Sequence, residues 1–198
     1  VNGIWGWGYN QSSNNLPSGK GPQLFVRVAD CARNYHNLDW DVTDPDHTPQ
    51  FDLMALGKGT EAQPWLNWDT EYAAWKTAGL PAQVSVQFTN ASHPAGIWNN
   101  AYTAAYNYGY AFARHFGSTH GNGLVTAIEI GNEPWDYAPD FYHTVFKGMA
   151  RGVKDADADL KVLPCALQAH APNTPESGVN NYIATMLTPD SAPLLDAL

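Results

Sequence analysis

The apolar positions of the chain switch between a period of two and a period near 3.6, which predicts alternating strands and helices. Gln83–Phe88 (QVSVQF) alternates cleanly: Val84, Val86 and Phe88 fall on one side, and Gln83, Ser85 and Gln87 on the other. Leu24–Asp30 (LFVRVAD), Leu124–Gly131 (LVTAIEIG) and Leu160–Ala166 read as further strands, and Gly3–Trp7 as the first. Between them the spacing predicts a helix over Asp69–Ala78, with Asp69 as its cap, Glu71 in the first turn, Lys76 in the last and Gly79 as the stop. A second helix covers Asn99–Phe116, with Tyr102, Tyr106, Tyr110 and Ala113 as its apolar stripe and Gly117 as its end. Pro139 opens a third, with Phe141, Val145 and Met149 on one face, and Asn180–Leu187 reads as a short fourth. Cys31–Trp68, rich in Asp, Asn, Trp and Pro, reads as one long elaborated loop.

Regular strand-then-helix order predicts an α/β fold with a parallel sheet and helical crossovers. Side-chain parity then separates two architectures. Arg27 lies opposite Leu24, Val26 and Val28, while Glu129 and Glu133 share a side opposite Ile128 and Ile130. A doubly wound sheet is covered by helices on both faces and wants both parities apolar. A barrel with helices outside and a polar interior wants this split, so the expectation is a (β/α)8 TIM barrel. It is incomplete: about five β/α units fit in 198 residues, where roughly 250 are typical. The chain begins inside a strand and stops on the apolar run Leu194–Leu198. We therefore expect residues 1–198 to be the amino-terminal portion of a single TIM-barrel domain.

Composition narrows the partners. At 44% hydrophobic and 13% aromatic the chain has material for a core, which excludes wholesale disorder. Its net charge of −9 excludes nucleic acid and anionic membrane surfaces as partners, and no run approaches the roughly 18 apolar residues of a membrane span. Cys31 and Cys165 are the two cysteines, too few for a disulfide scaffold, and read as core thiols. The seven histidines show no metal-ligand spacing. There is no phosphate-binding glycine loop, nucleophile elbow or His-Glu-x-x-His, so no cofactor and no metal are expected.

The sharpest feature is Ile128-Glu129-Ile130-Gly131-Asn132-Glu133-Pro134-Trp135. A strand delivers Asn132 and Glu133 side by side at its end, and Pro134 breaks the pairing at once. In barrels, catalytic residues sit at the carboxyl ends of strands. The segment resembles the Asn-Glu-Pro motif of glycoside hydrolase clan A, whose members are (β/α)8 barrels that hydrolyse glycosides with retention. The resemblance implies a carbohydrate substrate, with Glu133 as general acid and then base. Asn132 would bond the sugar 2-hydroxyl. Arg27, on the second strand, would hold a carboxylate ionised. Trp135 and Trp7, with Trp5, would stack on sugar faces. His93, and more weakly His170, would line the mouth. An extracellular or periplasmic setting is expected from the substrate.

Retention also requires a nucleophilic carboxylate about 5–5.5 Å from the acid. The remaining glutamates are Glu61, Glu71, Glu129 and Glu176, and none stands where the clan's nucleophile does, so that residue is expected outside the chain. Plainer readings stand beside these. Glu133 as a structural strand-end carboxylate, Glu129 as the buried partner of Arg27 or another cation, and the tryptophans as core all fit the pattern. A non-catalytic carbohydrate-binding protein on a degenerate barrel is the alternative function, and a lyase on the same barrel a third.

Overall fold

The computed structural model describes residues 1–4, 21–52, 67–134, 136–165 and 188–197. Among these run α1 (Gly21–Phe25), β1 (Ala32–Asn37), α2 (Leu38–Asp41), α3 (Trp68–Thr77), β2 (Ala82–Gln87), α4 (Ala101–Phe116), β3 (Val125–Ile130), α5 (Pro139–Ala156) and β4 (Lys161–Pro164). The strands form one parallel sheet in the order β1-β2-β3-β4. Asn2 adds a parallel bridge to Arg33, so the first residues lie alongside β1. Strand neighbours in sequence are neighbours in space, the order expected when each crossover returns on the same side.

That order gives the sheet two unlike faces. Val84, Val86, Ile128, Ile130 and Val162 are buried with Tyr108, Phe112 and Phe116 of α4 and Tyr142, Val145, Phe146 and Met149 of α5. Fully burying each aliphatic side chain contributes about 1.5–3 kcal/mol. The opposite face carries Arg33, Tyr35, Gln83, Ser85 and Glu129, placed by the register pairs Arg33–Gln83, Tyr35–Ser85 and Ser85–Glu129. α4 and α5 approach closely because they meet through glycines: a Cβ on Gly109 would run into the Met149 backbone, and one on Gly148 or Gly152 into the backbone of Tyr102 or Tyr106.

Helix ends follow local chemistry. Asn67, not Asp69, caps α3, its side chain accepting from the Thr70 amide at 2.9 Å. Asp69 instead accepts from the His115 ring at 2.8 Å and from the Asn122 side chain at 2.7 Å. Gly79 ends the helix at φ +92°, in the left-handed region that glycine adopts without strain. Asn100 caps α4 through the Thr103 amide, and Pro139 opens α5 as expected.

Three expectations are corrected. Leu24–Asp30 is not a strand: α1 ends at Phe25 and a turn follows, with Leu24, Val26 and Val28 at the surface and Arg27 exposed. The strand lies further on, inside the expected Cys31–Trp68 loop, as ARNYHN of β1. Beside Ala32, its helix-side residues Asn34 and His36 are polar and buried and are bonded by side chains of other elements, with Asn34 Oδ1 left without a partner among the described residues. Asn34 donates to the Tyr72 hydroxyl at 2.9 Å, and the His36 ring bridges Tyr72 and Asp41 at 2.6 Å each. Tyr108 donates to the same Asp41 oxygen, and Trp68 stacks on the ring at 4.6 Å. Third, Tyr102 and Tyr110 are 41% exposed. The buried face of α4 is Ala104, Ala105, Tyr108, Gly109, Phe112, Ala113 and Phe116, because α5 packs on its small residues. The expected strand at Gly3–Trp7 falls mostly outside the described residues, and the expected helix at Asn180–Leu187 falls wholly outside them.

Candidate functional site

The candidate site starts where β3 stops. After Ile130 the chain still pairs for one residue, the Gly131 amide donating to Val86 carbonyl oxygen at 2.8 Å and Ser85 Oγ to the Gly131 carbonyl at 3.0 Å. Gly131 then takes φ +90° and Glu133 φ +53°. A non-glycine residue in the left-handed region is uncommon, and such conformations persist where surrounding structure enforces them. The turn throws Glu133 clear of the sheet, where its side chain is exposed, while Asn132 is half-buried. The carboxylate of Glu133 makes no hydrogen bond or ion pair with the other described residues.

One layer below lies a fixed charge pair. Arg33 donates to both oxygens of Glu129, Nε to Oε2 at 2.7 Å and Nη2 to Oε1 at 2.8 Å, each side chain about one-fifth exposed. The planar fork matches the carboxylate, which makes this a directional contact. Nη2 also reaches Asn132 Oδ1 at 3.5 Å and Nη1 reaches Asn2 Oδ1 at 2.9 Å. Since a guanidinium can only donate, it faces the Asn132 carbonyl oxygen. Asn2 donates in turn to the Tyr35 hydroxyl at 3.1 Å. The Arg33 guanidinium sits over the Tyr35 ring, 4.7 Å from its centroid. The Asn2 hydrogen bond, then Arg33, holds the Tyr35 phenol below its ordinary range.

The structure treats the expected site residues unequally. Asn132 and Glu133 stand together at the carboxyl end of β3, the third strand of the sheet and the fourth if the Asn2 bridge is counted. Arg27 is exposed and off the sheet. The cation beside Glu129 is Arg33, six residues later, so the expectation of an internal cation for Glu129 stands with a different arginine. His93 does not line an open mouth. It is 1% exposed, with Nε2 buried and unpartnered among the described residues. Burial pushes its ring below the ordinary histidine range, against the pull of the Val42 carbonyl and Asp39. Its backbone carbonyl ties two loops together, accepting from Tyr137 at 2.6 Å and Trp98 at 3.4 Å. Trp135, Trp7, Trp5 and His170 lie outside the described residues.

Sequence reasoning missed Arg33 and Tyr35 because β1 presents no apolar parity. The alternation of half-buried Arg33, Tyr35 and Asn37 with buried Ala32, Asn34 and His36 exists in burial alone, not in residue type. Among the described residues no cluster of three or more His, Cys, Asp or Glu side chains is arranged to hold a metal ion.

Comparison with known proteins bears on the fold. No protein-family model and no curated protein sequence matches the chain. Among solved structures, a glucosidase from Croceicoccus marinus superposes with a TM-score of 0.57 over 94% of this chain, at 16% sequence identity. The chain spans 40% of that protein's length. The fold is glycosidase-like. At this identity the likeness is one of architecture; the described residues of this chain are α/β with a parallel sheet of four strands.

Proposed function

We propose that this chain forms the amino-terminal part of a (β/α)8 barrel of clan A type and carries the acid/base half of a retaining glycosidase. Glu133 protonates the departing glycosidic oxygen and then, as carboxylate, takes a proton from the water that releases the sugar. Asn132 Nδ2 donates to the sugar 2-hydroxyl, a contact that strengthens as positive charge develops on the ring. Arg33 and Glu129 form the rigid base that orients Asn132 and present a fixed, internally neutralised pair below the sugar. The nucleophile is a carboxylate outside this chain. The described glutamates fit that view: Glu129 is engaged by Arg33 and Glu71 is buried on α3.

The observation that carries this reading is the left-handed Glu133 in the turn that ends a parallel strand, beside an Asn132 whose Oδ1 faces Arg33. The architecture shared with a glucosidase supports it. Glu133→Gln in the full-length protein should lower glycoside turnover by about 10²–10⁴-fold, the usual share of a general acid, and leave sugar binding within about twofold. Unchanged turnover sinks the assignment. The sequence following Leu198 should supply the remaining strands, with a Glu at the end of the seventh.

The alternative is a carbohydrate-binding protein that has lost hydrolysis. The exposure of Glu133 favours it, since a general acid needs a carboxyl kept protonated by burial or a neighbouring carboxylate. Binding without turnover in the full-length wild type would select it.

A further inference from the structure

The turn that carries Glu133 rests on two side chains from other elements. Tyr142 comes from α5 and Cys165 follows β4, and both are fully or almost fully buried. A Cβ on Gly131 would lie 3.2 Å from the Tyr142 ring edge and hydroxyl and 3.5 Å from Cys165 Cβ, so the turn is seated directly on them. The Tyr142 hydroxyl lies 2.5 Å from the Ile130 carbonyl oxygen and 3.1 Å from Cys165 Sγ. It has one proton, and the carbonyl can only accept it. The sulfur contact is then made by the thiol's own proton, donated to the phenol oxygen. Burial pushes the Cys165 thiol up to about 12 and the Tyr142 phenol well above its ordinary range, so both protons stay in place at any working pH. The Glu133 backbone N–H borders the sulfur and favours charge on it, which brings the chain of contacts back to the turn. Ile130 at its start and Glu133 at its end are thus tied to one buried pair.

Two left-handed residues, one of them not glycine, need such a tie. We propose that Tyr142 and Cys165 are positioning residues that hold the Asn132-Glu133 turn in the orientation in which Glu133 meets a glycosidic oxygen. The proposal rests on the acid/base reading of Glu133. Neither residue touches substrate. Their contribution is the direction of the carboxylate, where misplacement by about 1 Å can cost up to 10²-fold in rate.

The test compares full-length wild type, Tyr142→Phe, Cys165→Ala and Cys165→Ser, with Glu133→Gln as reference. It reads kcat, KM and amide hydrogen exchange at Gly131–Glu133. Tyr142→Phe keeps the ring and its volume, so a purely packing role leaves it silent. Positioning predicts that Tyr142→Phe and Cys165→Ala lower kcat by about tenfold or more with KM within about twofold. Exchange at the turn should quicken by a similar factor while β2 keeps its protection, and Cys165→Ser, which restores a donor and an acceptor, should recover most of the loss. Wild-type kcat and exchange in Tyr142→Phe would overturn the proposal, as would a Cys165→Ser as impaired as Cys165→Ala. Should Glu133→Gln retain full turnover, the acid/base reading fails, and exchange still decides whether the buried pair holds the turn.

Discussion

β1 carries a polar cluster on each face, and the two behave differently. On the helix side Asn34 and His36 are sealed with Asp41, Tyr72 and Tyr108, every one of them 0–2% exposed. Burial raises both tyrosines well above their ordinary range, so they remain neutral donors and acceptors. On the other side Arg33 and Tyr35 meet Glu129, Asn2 and Asn132 in a half-open layer below Glu133. Both clusters join the strand to distant parts of the chain. Only the second leaves polar groups within reach of solvent, and through Glu129 and Asn132 it adjoins the turn that carries Glu133. The same six residues therefore stabilise the fold through one face and build the candidate site through the other.

Substitutions on the two faces should separate these roles. Asp41→Ala leaves His36 and Tyr108 buried without their acceptor, and should destabilise the chain by about 3 kcal/mol. Denaturant unfolding measures that loss, and sugar affinity of the folded fraction should be unchanged. Glu129→Gln removes a partly exposed ion pair and should cost about 1 kcal/mol of stability. By releasing Arg33 from its alignment with Asn132, it should lower turnover about tenfold or more. If Asp41→Ala struck turnover and Glu129→Gln struck mainly stability, the division between the faces would be wrong.

A smaller effect concerns pH. The folded state holds His93 below the ordinary histidine range by burial, and His143 likewise by burial and then by Lys147. At these two sites the unfolded chain binds more protons near pH 6.5, so the stability they contribute falls as pH drops through that range. His93→Gln should flatten the slope of unfolding free energy between about pH 7.5 and about pH 5.5. An unaltered slope would show that His93 titrates normally when folded.

Much of the fold was legible where burial and hydrophobicity coincide. β2, β3, β4, α4 and α5 were each found within a few residues because their core-facing positions are apolar and their caps local. β1 was hidden because Asn34 and His36 face the core, and their burial is made tolerable by Tyr72 and Asp41, partners that sequence spacing does not reveal. Leu24–Asp30 offered an apolar alternation in its place, yet those side chains stay at the surface. The same displacement moved the site's arginine from Arg27 to Arg33. The strand-end placement of Asn132 and Glu133 was legible because the Gly-Asn-Glu-Pro run directly follows an apolar alternation. The buried pair beneath them was not, since Tyr142 and Cys165 reach the turn from two later elements.

The most direct test of Glu133 is the dependence of rate on the leaving group. Aryl glycosides with strongly acidic phenols depart without a proton, whereas those with weakly acidic phenols need one. In the full-length protein, Glu133→Ala should reduce kcat/KM for the weakly acidic leaving group about 10²-fold more than for the strongly acidic one. Equal losses for the two substrates, or no loss for either, would contradict the assignment of Glu133 as the general acid.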